Sequence, residues 1–169
     1  MEATSTANAI GTELFIRMTL STWDSQLNRF NKLIDSLTDE DLSASVAPGR
    51  NTGLYLVGHM AAVHDGIIPL LGLGERLHPE LELPFIKTAD QPGNDAFTLA
   101  QLKQAWKEVS SFLTEKFAAM SAEEWFDRHT AVSAEDYAKE PHRNKLNLIL
   151  NRTNHLSYHF GQLIFLKKK

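Results

Sequence analysis

His155 and His159, in the run RTNHLSYHFGQL, are the residues of this sequence best placed to do chemistry. On a helix, a spacing of four means about 40° of rotation and ~6 Å of rise, so both imidazoles leave one face as pre-aligned nitrogen donors. That spacing suits a divalent metal but supplies only two ligands. The chain holds seven histidines, so such a pair also arises by composition alone, and rings bonded to backbone carbonyls would need no metal. His59 is the third candidate. It lies between Val57, Gly58 and Met60, where a partnerless buried imidazole would cost about 1–3 kcal/mol and a metal would satisfy it. His64 follows five residues on, about 140° around the helix, and is expected at the surface or at the mouth of a cavity.

Three neutral imidazoles do not offset the charge of a divalent ion, and they leave part of its coordination shell open. Two chemistries suit such a site: water acidified for attack on an ester or amide, or a small thiol bound as its reactive thiolate. The absence of cysteine removes thiolate zinc sites, disulfides and cysteine nucleophiles. Imidazole ligation is compatible with zinc, nickel, iron and copper. Asn147 and Asn151 continue the His155/His159 row toward the start of the helix, as metal-supporting groups or as solvated side chains. Trp23, Asp24 and Tyr158 are candidates to reach the cavity, with core packing the favoured reading of Trp23. His78, His129 and His142 are expected in solvated loops.

The elements that must position these residues are helical. Helix one covers about 7–37, with Ile10, Leu14, Met18, Trp23, Leu27, Phe30, Ile34 and Leu37 read as one buried stripe. A connection rich in acidic and small residues follows, and Asn51 or Thr52 caps helix two. Helix two is apolar on nearly every side, and Gly66 and Pro69 predict a kink or a break and restart. Residues 72–96, with three of the six prolines, read as a long crossover. Helix three spans about 98–120 on a regular three-four seam. Ser121-Ala-Glu-Glu is a capping box opening a short helix around Trp125, with polar loop up to His142. Helix four covers about 144–166, with Leu146, Ile149, Leu156, Phe160 and Leu163 inward.

The expected class is therefore all-α: a four-helix bundle with long connections between helices one and two and between two and three, in a single domain over 1–169. Seventeen basic against twenty-one acidic residues leave no basic stripe, which argues against nucleic-acid binding. Lys167, Lys168 and Lys169 read as a C-terminal helix cap. The N-terminus lacks the pattern of a secretory signal and no segment is apolar enough to span a bilayer, so no membrane partner and a cytoplasmic location are expected.

GHMAAVHDG in helix two together with NHLSYHFGQL in helix four resembles the DinB-like family, also called YfiT-like metal-dependent proteins, and element order matches over nearly the whole chain. The resemblance implies that His59, His155 and His159 bind a divalent metal, zinc or nickel first and iron next. It implies an enzyme of the low-molecular-weight thiol S-transferase or hydrolase type acting on a small thiol or other small molecule, and a homodimer. The alternative is a non-catalytic or stress-related bundle protein whose metal is structural or sensory. Gly161-Gln162 resembles the usual family ending. Two positions depart from the pattern: Phe160 stands where many members carry a basic residue, and Val63, His64 and Asp65 stand where many carry an acid.

Overall fold

In the computed structural model the described residues are 2–91 and 96–167, with side chains described from residue 9 onward. Among them every regular element is helical, and the only extended pairings are two isolated bridges, Ser45 with Thr52 and Arg128 with Asn144. Four long helices dominate: α1 (Glu2–Ser36), α3 (Gly53–Asp65), α5 (Leu99–Ala119) and α8 (Lys145–Leu163). Helix α1 packs along α8 and touches α5, while α3 lies against α5 and α8. Short helices α2 (Asp39–Ser43), α4 (Ile67–Leu70), α6 (Ala122–Trp125) and α7 (Ala134–Lys139) fill the connections. No described helix is long and apolar enough to cross a membrane.

Most boundaries follow side chains that satisfy the free amides of a first turn. Thr52 accepts from Tyr55 N to open α3, and Thr98 with Gln101 and Ser121 with Glu124 form reciprocal capping boxes at α5 and α6. Asn144 caps α8. The break expected at Gly66 is present, with α4 restarting at Ile67 and Pro69 within its single turn. Helix α7 occupies a stretch read from sequence as loop. Its signals were local: Ser133 caps Asp136 N, Glu135 and Asp136 fill the first turn, and Lys139 ends the helix.

The buried stripe of α1 needs correction. Trp23, Leu27, Phe30, Ile34 and Leu37 are buried, but Ile10, Leu14 and Met18 are 58%, 48% and 59% exposed. The step from Met18 to Trp23 is five residues, about 140°, so the two runs cannot share a face. The inward row continues instead through Thr19 and Ile16, both buried.

The crossover after α4 is more structured than its prolines suggested. A 3₁₀ turn at Pro79–Leu81 and a π-helical turn at Leu83–Lys87 pack on α3, burying Leu81 and Phe85 to 1% exposure. The approach of the second turn is close because Gly58 has no side chain, and the Phe85 ring occupies the space a Cβ would take. At the C-terminus, α8 gives way to a 3₁₀ turn, Ile164–Leu166. Lys167 lies beyond the last helical turn, and Lys168 and Lys169 lie outside the described residues.

Candidate metal centre

His59 projects from the middle of α3, and His155 and His159 project from consecutive turns of α8. Their rings meet edge-on in a triangle, with centroids 5.2 Å apart for His59 and His155, 5.1 Å for His59 and His159, and 4.6 Å for His155 and His159. One ring nitrogen from each lies within 4.8 Å of the others. The structure thus brings together the three residues singled out from the sequence. His159 is buried at 7% exposure, while His59 and His155 are half-buried, which leaves the cluster a solvent-facing side.

The proton inventory of the rings fits a cation. His59 Nδ1 donates to the Phe85 carbonyl at 2.7 Å, which leaves Nε2 as a bare lone pair. His159 Nδ1 donates to Gln162 Oε1 at 2.7 Å, and Gln162 Nε2 donates to the Tyr158 hydroxyl, so His159 also keeps an unprotonated Nε2. These are the outer partners that orient metal-binding histidines and make them better donors. His155 Nε2 stands 2.9 Å from His159 Nε2, a separation that requires a proton or a cation between two lone pairs. His155 Nδ1 is buried without a partner.

Electrostatics keeps all three rings in the ligand form. Burial, then the imidazoles of His159 and His59 and the charge of Arg152, hold His155 down to about 4. Burial, partly offset by the bond to Gln162, and then His59 bring His159 to about 4. His59 is lowered by burial against the opposing effect of the Phe85 carbonyl. Neutral nitrogen donors are available at any pH near neutrality.

Other expectations fare differently. His64 does not reach the surface: it is fully buried, donates from Nδ1 to the Met60 carbonyl at 2.8 Å, and is pushed down to about 3, chiefly by burial. Most of helix α3 is buried, and turning 140° away from His59 leads to Trp23 and Trp106, 5.3 and 5.0 Å from His64 between ring centroids, rather than to water. Asp65, beside it, is equally buried and accepts from the amides of Leu77 and His78, tying the crossover to α3. Asn151 is exposed and bonds back to the Asn147 backbone carbonyl, and neither asparagine side chain bonds to a histidine among the described residues.

Steps of four drift about 40° each, whereas a step of seven drifts only about 20°. The residue that truly extends the row is therefore Arg152, seven before His159 and three before His155. That spacing was readable and was missed.

Trp23 is core at 1% exposure, and Asp24 is exposed with its carboxyl raised by burial. Tyr158 is 62% exposed, packs edge-on against the His159 ring with centroids 5.0 Å apart, and accepts from Gln162 Nε2. At the departure noted for Phe160, Arg29 of α1 places its guanidinium 4.5 Å over the ring. His142 is exposed, but His78 is half-buried between Glu80 and Glu108, and His129 is half-buried with Nδ1 unpartnered.

No individually curated protein matches the chain. The sequence pattern of the DinB superfamily matches residues 22–163, a span that runs from the first buried tryptophan of α1 to the end of α8 and includes all three histidines. With that match over most of its length, the chain belongs to the DinB superfamily.

Proposed function

We propose that this protein is a single-domain four-helix bundle of the DinB type that binds a divalent metal, zinc or nickel, through His59, His155 and His159, and that it is a metal-dependent enzyme of the low-molecular-weight thiol S-transferase or hydrolase type. The observation that carries the reading is the convergence of three imidazoles from two helices with two of their outer nitrogens already committed to Phe85 and Gln162. A divalent ion held there supplies Lewis acidity to an oxygen or sulfur ligand at neutral pH. The residues of the chain do the rest. Phe85 and Gln162 fix ring orientation and proton position, and burial keeps the imidazoles neutral. The half-buried edges of His59 and His155 leave an approach for a small molecule.

Elemental analysis of protein purified without a histidine tag tests the metal, and single substitutions His59→Ala and His159→Ala should each abolish its retention. Turnover of the metal-loaded protein with a panel of small thiols, electrophiles and esters tests the enzyme reading. Failure to bind any thiol or to turn over any panel member would overturn it.

The exposed row Ile10, Leu14 and Met18, with Phe15 beside it, supports a homodimer in which the N-terminal halves of two α1 helices pair across a two-fold axis. Light scattering of the variant Leu14→Glu/Met18→Glu should then report a monomer where the native chain gives twice its mass.

A further inference from the structure

Arg152 has no counter-charge. It is half-buried on α8, its Nε is shut off from solvent, and it forms no hydrogen bond or ion pair among the described residues. A guanidinium cannot shed its proton to relieve burial, and an unpaired charge in a partly dry site is costly to hold. Its field acts on His59, His64, His129 and His155, in each case favouring the neutral ring, which places it within Coulomb reach of the histidine centre. Its position three residues before His155 and seven before His159 puts it on the same helix face.

A second, independent observation lies beside it. His64 is fully buried and already donates from Nδ1, so its Nε2 is an acceptor with no partner. Trp23 Nε1–H, on the ring that stacks against His64, is likewise buried and unpartnered. Arg152 Nε and His155 Nδ1 are buried without partners as well, and both residues lie within electrostatic reach of His64. Native interiors rarely leave such atoms unmatched, and an ordered water or a polar group of a ligand commonly supplies the partner.

We propose that Arg152 anchors a carboxylate on the small molecule that binds at the three-histidine centre, so that the site takes a bifunctional ligand, one donor atom toward His59, His155 and His159 and one carboxylate in the guanidinium fork. The first attachment rests on the metal reading above, and the second rests on Arg152 alone. One unpaired positive charge among neutral imidazoles matches a singly charged carboxylate, whose two oxygens fit the planar fork.

Two thiols that share a two-carbon chain, one ending in a hydroxyl and the other in that carboxylate, test the proposal. Cobalt(II)-loaded protein is titrated with 2-mercaptoethanol and with 3-mercaptopropionate, and binding is read from the near-ultraviolet sulfur-to-cobalt absorption in wild type, Arg152→Met and Arg152→Lys. Wild type should bind 3-mercaptopropionate about tenfold more tightly or better. Arg152→Met should lose that preference while keeping its affinity for 2-mercaptoethanol and for cobalt, and Arg152→Lys should keep part of it. Equal affinities in wild type, or a preference that survives in Arg152→Met, overturn the proposal. If cobalt is not taken up, or is taken up but binds neither thiol, the metal or thiol reading fails, and calorimetric titration of the metal-free protein with propionate decides the anchor. Heat in wild type and none in Arg152→Met supports it, and none in either overturns it. Circular dichroism checks the fold of each variant; should Arg152→Met not fold, Arg152→Lys carries the comparison.

Discussion

Replacing Gly58 with alanine tests how packing on α3 reaches the histidine centre. A Cβ at Gly58 would stand 2.5 Å from Cε1 of Phe85, 2.6 Å from Cδ1 and 2.7 Å from Cζ. Carbon atoms in contact sit about 3.5–4.0 Å apart, so the ring must retreat by about 1 Å. Phe85 is 1% exposed, and its ring is flanked by Tyr55 and Phe97 at centroid distances of 5.7 and 5.9 Å. The ring therefore cannot swing away alone, and the turn that carries it must move. The same residue's carbonyl holds His59 Nδ1 at 2.7 Å, and a shift of about 1 Å takes that bond past the ~3.2 Å at which such bonds end.

Loss of an orienting partner lowers metal affinity about 10- to 100-fold. Overpacking costs about 1–3 kcal/mol, and alanine in place of a mid-helix glycine returns about 1 kcal/mol. The metal-free protein should then lose about 1 kcal/mol, with Tm lower by about 2–4 °C. Competition with a chromophoric chelator gives the zinc affinity, and calorimetry gives Tm. The double variant Gly58→Ala/Phe85→Leu removes the obstructing ring and should recover much of both. A Tm that rises, with zinc affinity unchanged, would refute the reasoning.

Gln162→Leu removes the acceptor of His159 Nδ1 while leaving a half-buried helix position filled, and should weaken zinc about 10- to 100-fold with little change in metal-free Tm; an unchanged zinc affinity would exclude Gln162 from the centre. Free zinc or nickel at about 100 times Kd should stabilise the wild type by about 2.7 kcal/mol, an increment that chelator and His159→Ala must both erase in thermal melts. The pH dependence has a definite sign. In the metal-free native state His155 and His159 stay neutral down to about 4 and His64 down to about 3, against 6.5 for an unperturbed ring. The unfolded chain thus binds more protons below about pH 6.5, and stability present above that value is lost as pH falls toward about 4. Urea midpoints of chelator-treated protein should fall between pH 7 and 5, less steeply in His155→Gln; a flat wild-type profile would contradict the burial of these rings.

Much of the fold was legible because helix ends and core faces are local properties. The caps Thr52 and Ser121 stand where the sequence places them, α5 and α8 begin at the expected positions behind Thr98 and Asn144, and the seam of α5 from Leu102 to Phe117 is buried as its three-four spacing requires. Ile10, Leu14 and Met18 misled because they are equally regular, and only the five-residue step to Trp23 shows that they face elsewhere. His64 misled for the opposite reason. An angle around a helix says which way a side chain points but not what stands there, and at His64 two tryptophan rings stand there.

The sequence by itself determined that His155 and His159 share a helix face, that His59 sits in an apolar helix, and that nitrogen donors are what this cysteine-free chain offers a metal. Those facts depend only on residue type and helical repeat. Tertiary structure alone decided that the three rings converge, that Phe85 reaches His59 from a turn 26 residues away in sequence, and that Arg152 and His64 are left beside them with unpartnered nitrogens. Those facts depend on how far apart α3 and α8 lie and on what fills the space at Gly58, and distances between helices are set by the packing of the whole core rather than by any local pattern.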